Sequence, residues 1–230
     1  MPEQLLLNTI DLKKVYETKG ASTIALDGVD LELHAGEFTA IAGPSGSGKS
    51  TLLHLLGGLD RPTAGEVHLD GVALAGMSRD ELARLRLHKV GFVFQAYNLI
   101  PVLTVLENTA FTMELQGIAR NERIKRARAI LAELGIEQYA DQFPNRVSGG
   151  EQQRAAVARA VVAEPSIVLA DEPTANLDSK TSLALIEMMR RLNEEHGATF
   201  LFATHDSRLL DRVDRLLTLV DGRVTTDEHR

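Results

Sequence analysis

The feature that most constrains this chain is the nine-residue stretch Gly43-Pro44-Ser45-Gly46-Ser47-Gly48-Lys49-Ser50-Thr51. A short apolar run, Phe38–Ala42, comes before it, and a leucine-rich segment of helical character follows. Strand, glycine-rich loop and helix in that order make a P-loop, and the spacing Gly43-x-x-x-x-Gly48-Lys49-Ser50 fits without departure. Gly43, Gly46 and Gly48 let the backbone take turns closed to other residues and aim N–H groups at phosphate oxygens. The helix beginning near Lys49 adds the positive end of its dipole. Lys49 then reaches the β- and γ-phosphates, and the Ser50 hydroxyl ligates Mg²⁺. A glycine-rich turn with a chance lysine would need neither the buried strand before it nor the helix after it. The stretch is expected to bind Mg-ATP.

Composition narrows what such a loop serves. The chain has 230 residues, 44% of them hydrophobic and 25% charged, enough for a substantial core without staples. Its net charge of −7 argues against sequence-independent nucleic-acid binding, which needs a basic face. Cysteine is absent, which excludes disulfides and thiolate metal sites and fits a reducing compartment. Met1-Pro2-Glu3-Gln4 carries no basic stretch followed by an apolar run, so no signal peptide is expected. No apolar run approaches the roughly 18–20 residues that cross a bilayer, so a membrane role must come through a partner.

Along the chain the first forty residues read as β-rich. Apolar or alternating runs at 5–10 and 24–33 are separated by turn signals at Lys19-Gly20, Asp27-Gly28 and Ala35-Gly36. Strands are predicted at 66–70 and 91–94, with a charged helix at 79–87 between them. The middle, from about residue 107 to 140, has a helical pattern, with Ile124, Ala127, Leu131 and Leu134 recurring at three- and four-residue spacing. Arg120, Arg123, Lys125, Arg126 and Arg128 fill the other face. Interleaved acids and the lack of aromatics mark it as a solvated surface rather than a nucleic-acid patch. After residue 148 helices (151–162, 179–195, 207–213) alternate with strands (167–170, 199–203, 215–220). Alternation of this kind predicts an α/β core with a mostly parallel sheet covered on both faces.

A phosphate cradle alone does not choose between a kinase, a GTPase and a motor. Ile167-Val168-Leu169-Ala170-Asp171 is an apolar strand that delivers a carboxylate where P-loop folds hold Mg²⁺. Glu172 follows at once and can act as general base on the attacking water. His205 stands just past the apolar 199–203 run, where a sheet edge faces the γ-phosphate. A lone histidine is ordinarily structural, so both readings of His205 stand on spacing alone.

Between these segments lies Val147-Ser148-Gly149-Gly150-Glu151-Gln152-Gln153-Arg154, which resembles the signature of ATP-binding cassette (ABC) ATPases. The other family elements occur in order: the P-loop, Gln95, Asp171-Glu172, Asn176-Leu177-Asp178 and His205. The resemblance implies a P-loop core with an N-terminal antiparallel β subdomain and an inserted α-helical subdomain. The core would take residues 1–95 and 151–230, and the helical part about 96–150. Tyr16 is similar to the aromatic that stacks on adenine, and Gln95 to the glutamine that reaches Mg²⁺ and the attacking water. Asp178 is similar to the aspartate that communicates across the dimer, and His205 to the histidine on the γ-phosphate. Ser148, Gly149, Gly150 and Glu151 are similar to the signature residues that close over ATP held by a second copy, which implies an ATP-sandwiched homodimer.

Residues 45–63, Gly91-Phe92-Val93-Phe94-Gln95, Leu106-Glu107-Asn108 and Ala170-Asp171-Glu172-Pro173-Thr174 resemble one branch in particular. It contains the lipoprotein-releasing, macrolide-exporter and cell-division ATPases. Val147 stands where leucine is commoner, and Ala175 where the branch usually has glycine. The branch implies an integral membrane permease as partner, reached from the cytoplasmic face of the inner membrane, with the apolar stretch 97–106 as its dock. It leaves two outcomes open: transport or release by that permease, or regulation of a cell-wall enzyme without transport. A nucleic-acid-repair ATPase would need a long coiled coil inside the cassette, which is missing.

Overall fold

The computed structural model describes residues 4–18 and 20–230. The expectations placed on residues 1–3 and on Lys19 lie outside the described residues. In chain order the first elements are β1 (Leu5–Thr18), β2 (Ala21–His34), β3 (Phe38–Ala42), α1 (Lys49–Leu56), β4 (Ala64–Leu69) and β5 (Val72–Ala73). Then come α2 (Arg79–Lys89), β6 (Val90–Val93), α3 (Val105–Leu115), α4 (Arg120–Glu133) and α5 (Gly149–Val161). The chain continues through β7 (Ile167–Asp171), α6 (Ser179–His196), β8 (Phe200–Ala203), α7 (Ser207–Leu210), β9 (Arg215–Val220) and β10 (Arg223–His229).

These strands make two sheets. One is antiparallel, in the order β2-β1-β4-β5; the other runs β10-β9-β3-β8-β7-β6, parallel except for β10. The central strands are buried on both faces, and their side chains alternate with the pleat. Phe38, Ala40, Val168, Ala170, Phe200 and Phe202 point into a core shared with α3, α4, α5 and α6. Ile41, Ile167, Leu169, Leu201 and Ala203 point the other way, against α1 and the antiparallel sheet. Phe38 meets Phe200 and Phe202 edge-on at 5.6 and 4.7 Å, which locks β3 to β8.

Register fixes what gathers at the sheet's edge. Ile41 lies opposite Ala203, Asp171 opposite Ala203, and Val93 opposite Ala170. Four parallel strands therefore release their chains at one level, the place where α/β sheets bind ligands. The segments released there contain Gly43, Gln95, Glu172 and His205.

Three sequence expectations change. The helical pattern expected over 107–140 is broken into α3 and α4, because Gly117 takes φ 78° and ends the first, while Gly135 at φ 67° follows the second. The last helix stops at Leu210 rather than at residue 213. β10 went unread because Arg-Val-Thr-Thr-Asp-Glu-His has almost no apolar content, as suits a guarded edge strand. On α4 the basic face pairs with acids: Arg123 with Glu114, Arg126 with Glu122 and Arg128 with Asp141.

Candidate active site

The loop after β3 walls a cleft of about 570 Å³. Loop residues 43–46 and 48–51 line it together with 23–25 of β2 and Gln95, Glu172, Ala175 and His205. The glycines here are dictated by neighbours. A Cβ on Gly43 would run into the Leu219 carbonyl and stand 2.8 Å from Ser47 Oγ. One on Gly48, whose φ is 104°, would strike the Ala25 carbonyl and lie 2.9 Å from Leu26 Cδ2. Ser47 is buried, and its hydroxyl has no hydrogen-bond partner.

Gly48 is also the cap of α1, and no side chain there accepts a hydrogen bond from the first turn. No acid sits in that turn either. The amides and the dipole are thus left to an anion. Lys49, only 9% exposed, stretches across the loop and donates to the carbonyls of Gly43 (2.8 Å) and Pro44 (2.9 Å). Its neighbour Ser50 donates from Oγ to Asp171 Oδ1 at 2.9 Å. Burial holds Asp171 above the usual carboxylate range, with the Ser50 hydrogen bond and the charges of His54 and Lys49 opposing it. A hydroxyl and a carboxylate oxygen side by side are the hard donors that Mg²⁺ takes. With the glycine cradle and the uncapped, acid-free start of α1, the residues fit a Mg-phosphate.

Glu172 is built in under strain, at φ 46°, a conformation non-glycine residues seldom take. Its side chain is 16% exposed. Oε2 accepts from Thr204 Oγ1 at 3.2 Å, and Oε1 lies 2.7 Å from His205 Nδ1. A carboxylate only accepts, so this pairing puts the histidine proton on Nδ1 and turns Nε2 outward. His205 itself is three-quarters exposed, with its side chain at 75%. Gln95 leaves β6 at the same edge, and its carbonyl accepts from Asn176 Nδ2 at 2.9 Å.

Other expected site residues lie elsewhere. Ser148, Gly149, Gly150 and Glu151 start α5 and do not line the cleft. Ser148 and Glu151 cap each other: Glu151 Oε2 accepts from the Ser148 amide at 2.6 Å, and Ser148 Oγ from the Glu151 amide at 3.4 Å. Asp178 caps α6, accepting from the amides of Lys180 and Thr181 and, at 2.6 Å, from Thr181 Oγ1. Tyr16 is one strand removed from the cleft, opposite Thr23, and its hydroxyl donates to Asp60 at 3.1 Å. Lys14 sits over its ring at 4.8 Å.

Sequence reasoning missed a set of groups behind Glu172. Asp206 accepts from Thr174 Oγ1 at 2.7 Å and from Arg208 Nε and Nη2, and its amide donates to Thr204 Oγ1 at 3.0 Å. Asp206 immediately before the Ser207 helix is a cap signal in the sequence. Thr204 and Thr174, buried at strand exits, carry no such signal.

Fold and cleft together define a P-loop nucleotide-binding protein. Residues 26–175 match the ABC transporter family model. The chain is 44% identical to an ABC transporter ATP-binding protein of Thermotoga maritima over 98% of its own length and 96% of the relative's. It is 44% identical to the lipoprotein-releasing system ATP-binding protein LolD of Anaeromyxobacter dehalogenans, covering 99% and 97%. With the macrolide export ATP-binding/permease protein MacB of Rhodospirillum rubrum it shares 43% over 98% of its length but only 34% of that chain's. The fold matches the ATP-binding cassette MJ0796, solved as a dimer bound to ADP and Pi, with TM-score 0.91, 42% identity and coverage of 97% and 98%. The chain belongs to the ABC transporter family, as an ATP-hydrolysing nucleotide-binding subunit.

Proposed function

We propose that two copies of this chain close on two ATP molecules and drive an integral membrane permease that releases lipoproteins or exports drugs or peptides. The observation that carries the reading is the separation of the two phosphate-facing elements. The P-loop forms the cleft, while Ser148 to Glu151 stand outside it, so one chain holds half a site. The dimeric MJ0796 cassettes support the pairing. LolD and MacB, relatives whose names concern release and export, favour transport over a purely regulatory role.

In this reading Lys49 leaves the carbonyls of Gly43 and Pro44 for the β- and γ-phosphates, and the amides of residues 43–51 hold the chain of oxygens. Ser50, Asp171 and Gln95 would hold Mg²⁺, which when bound would supply charge neutralisation for the transferred phosphoryl group. Glu172 accepts the proton of the attacking water, and His205 holds that carboxylate in place through Nδ1 beside the γ-phosphate. Ser148, Gly149, Gly150 and Glu151 of the second copy close the site, with Asp178 at the seam. Tyr16 swings from Asp60 to stack on adenine.

A second groove, of about 670 Å³, is the proposed dock for the permease. Phe92, Phe94, Phe111 and Leu115 give it an apolar floor, and among the described residues its charged lining is Arg84, Arg86 and Arg159. Asn98 and Ile100 contribute from the 97–106 stretch, where Val102 is 77% exposed. Charge complementarity asks for a short permease segment with apolar anchors and an acidic side chain. Among the described residues no helix is long and apolar enough to cross a membrane. In this reading that dock brings the chain to the cytoplasmic face of the inner membrane.

Affinity capture from native membranes with Glu172→Gln and Mg-ATP tests the assignment. A co-purifying permease with four membrane helices and a large extracytoplasmic domain is the expected result. Recovery of a many-helix importer would contradict it.

A further inference from the structure

α5 joins the signature end of the chain to the chain's own catalytic edge through a side chain with no other evident task. Gln153 is wholly buried on that helix. Its Nε2 donates to the Pro173 carbonyl at 2.7 Å, and its Oε1 has no hydrogen-bond partner. An apolar residue would fill the same space without leaving a buried amide oxygen unmet, so packing does not explain the glutamine. What the amide does is hold the backbone immediately after Glu172.

That backbone needs holding. Glu172 sits at φ 46°, with its amide donating to the Ala203 carbonyl at 2.8 Å. From the β8 side Thr204 Oγ1 donates to the Glu172 carboxylate, and Asp206 accepts from Thr174. Among the described residues the one hydrogen bond to the segment 172–174 from the helical side is that of Gln153. The far end of α5 is anchored separately: Arg159 donates to the carbonyls of Tyr97 and Asn98, at 2.9 and 2.5 Å, in the loop after Gln95. At the near end Gly150 packs so closely on Thr181 that a Cβ would lie 2.5 Å from Thr181 Cγ2. A helix rises about 1.5 Å per residue, which puts Gln153 about 7.5 Å along the axis from Ser148.

We propose that Gln153 is a positioning residue that couples the signature end of α5 to Glu172 of the same chain. Closure of Ser148 and Gly150 on the nucleotide of the second copy would then set the base in the first copy's cleft, making the two sites cooperative. The inference rests on the two-copy reading above. It adds a link inside each chain, whereas the pairing concerns the surface between them.

The test uses the full chain with Gln153→Met, which keeps the volume and removes the donor. We expect kcat to fall about tenfold, equivalent to about 1.4 kcal/mol of transition-state stabilisation. KM, the affinity for a fluorescent ATP analogue and the thermal midpoint should stay near wild type, and the Hill coefficient for ATP should drop toward one. Unchanged kcat and cooperativity would overturn the proposal; so would a parallel loss of kcat, nucleotide affinity and thermal midpoint, which marks a purely structural role. Should the Met variant not fold, Gln153→Glu decides. Only its protonated carboxyl donates to Pro173, so its kcat relative to wild type should rise as pH falls, and a flat ratio refutes the link. A wild type that forms no ATP-dependent dimer would refute the two-copy reading itself. A normal dimer with a normal Gln153→Met rate would refute only the link.

Discussion

α1 and α5 both begin at glycine-rich turns, and their N-termini are finished in opposite ways. α1 starts at Gly48 with no side-chain cap and no acid in its first turn. α5 starts at Ser148 with a reciprocal box between Ser148 and Glu151. Bare amides at a helix end carry a cost unless a ligand meets them. The first end is left for an anion that the same chain cradles with Lys49. The second holds its own shape, and under the two-copy proposal the anion it meets is carried by another molecule.

Lys49→Met should break the first end most severely. Losing charge-assisted hydrogen bonds to two phosphates should weaken ATP binding about a hundredfold or more, measured by titration calorimetry. The thermal midpoint should hold, because the lysine's contacts in the free chain are two loop carbonyls. Binding within a few-fold of wild type would mean that the bare helix end alone holds the phosphates.

Gly48→Ala asks whether the bare end depends on its turn. A side chain would meet the Ala25 carbonyl at a positive φ, and we expect a loss of about 2 kcal/mol in denaturant unfolding. Ser148→Ala is the matching change at α5. Removing the cap should cost about 1 kcal/mol and leave nucleotide binding by the isolated chain unaltered. ATP-dependent dimerisation should fall. Equal damage to binding from both variants would erase the distinction between the two ends.

Glu151→Gln sharpens it at the smallest scale. Partial burial alone would raise the Glu151 carboxyl, but hydrogen bonds from the Ser148 amide and hydroxyl and from Tyr139 outweigh it and hold the group below its ordinary value of 4.5. A lowered carboxylate stabilises the fold above its unfolded value, and that share is lost as pH falls through the folded one. The difference in thermal midpoint between wild type and Glu151→Gln should thus be present at pH 7 and vanish in acid. No such difference should arise at α1, which has no carboxylate in its first turn.

Much of this was legible in the residues. The P-loop, Asp171-Glu172 and the strand–helix alternation carry their physics locally, in glycine spacing and apolar runs, and the sheet edge gathers them as expected. The signature helix was legible too, but its start was placed at Glu151 rather than Gly149 because the capping box between Ser148 and Glu151 went unread. What could not be read depends on register between distant strands. Thr204 and Asp206 matter because β8 lies beside β7, and Gln153 because α5 crosses beneath Pro173. The guarded strand β10 hid in a polar sequence, and Gly117 divides the helical middle into α3 and α4. Tyr16, hydrogen-bonded to Asp60, shows where resemblance supplies a role that the free chain's geometry does not yet display.

The central claim is that one chain holds half of each catalytic site. Sedimentation equilibrium of Glu172→Gln, with and without saturating Mg-ATP, tests it most directly. The account predicts a monomer without nucleotide and a stable dimer with it, returned to monomer by adding Ser148→Arg. A Glu172→Gln chain that stays monomeric in saturating Mg-ATP would contradict it.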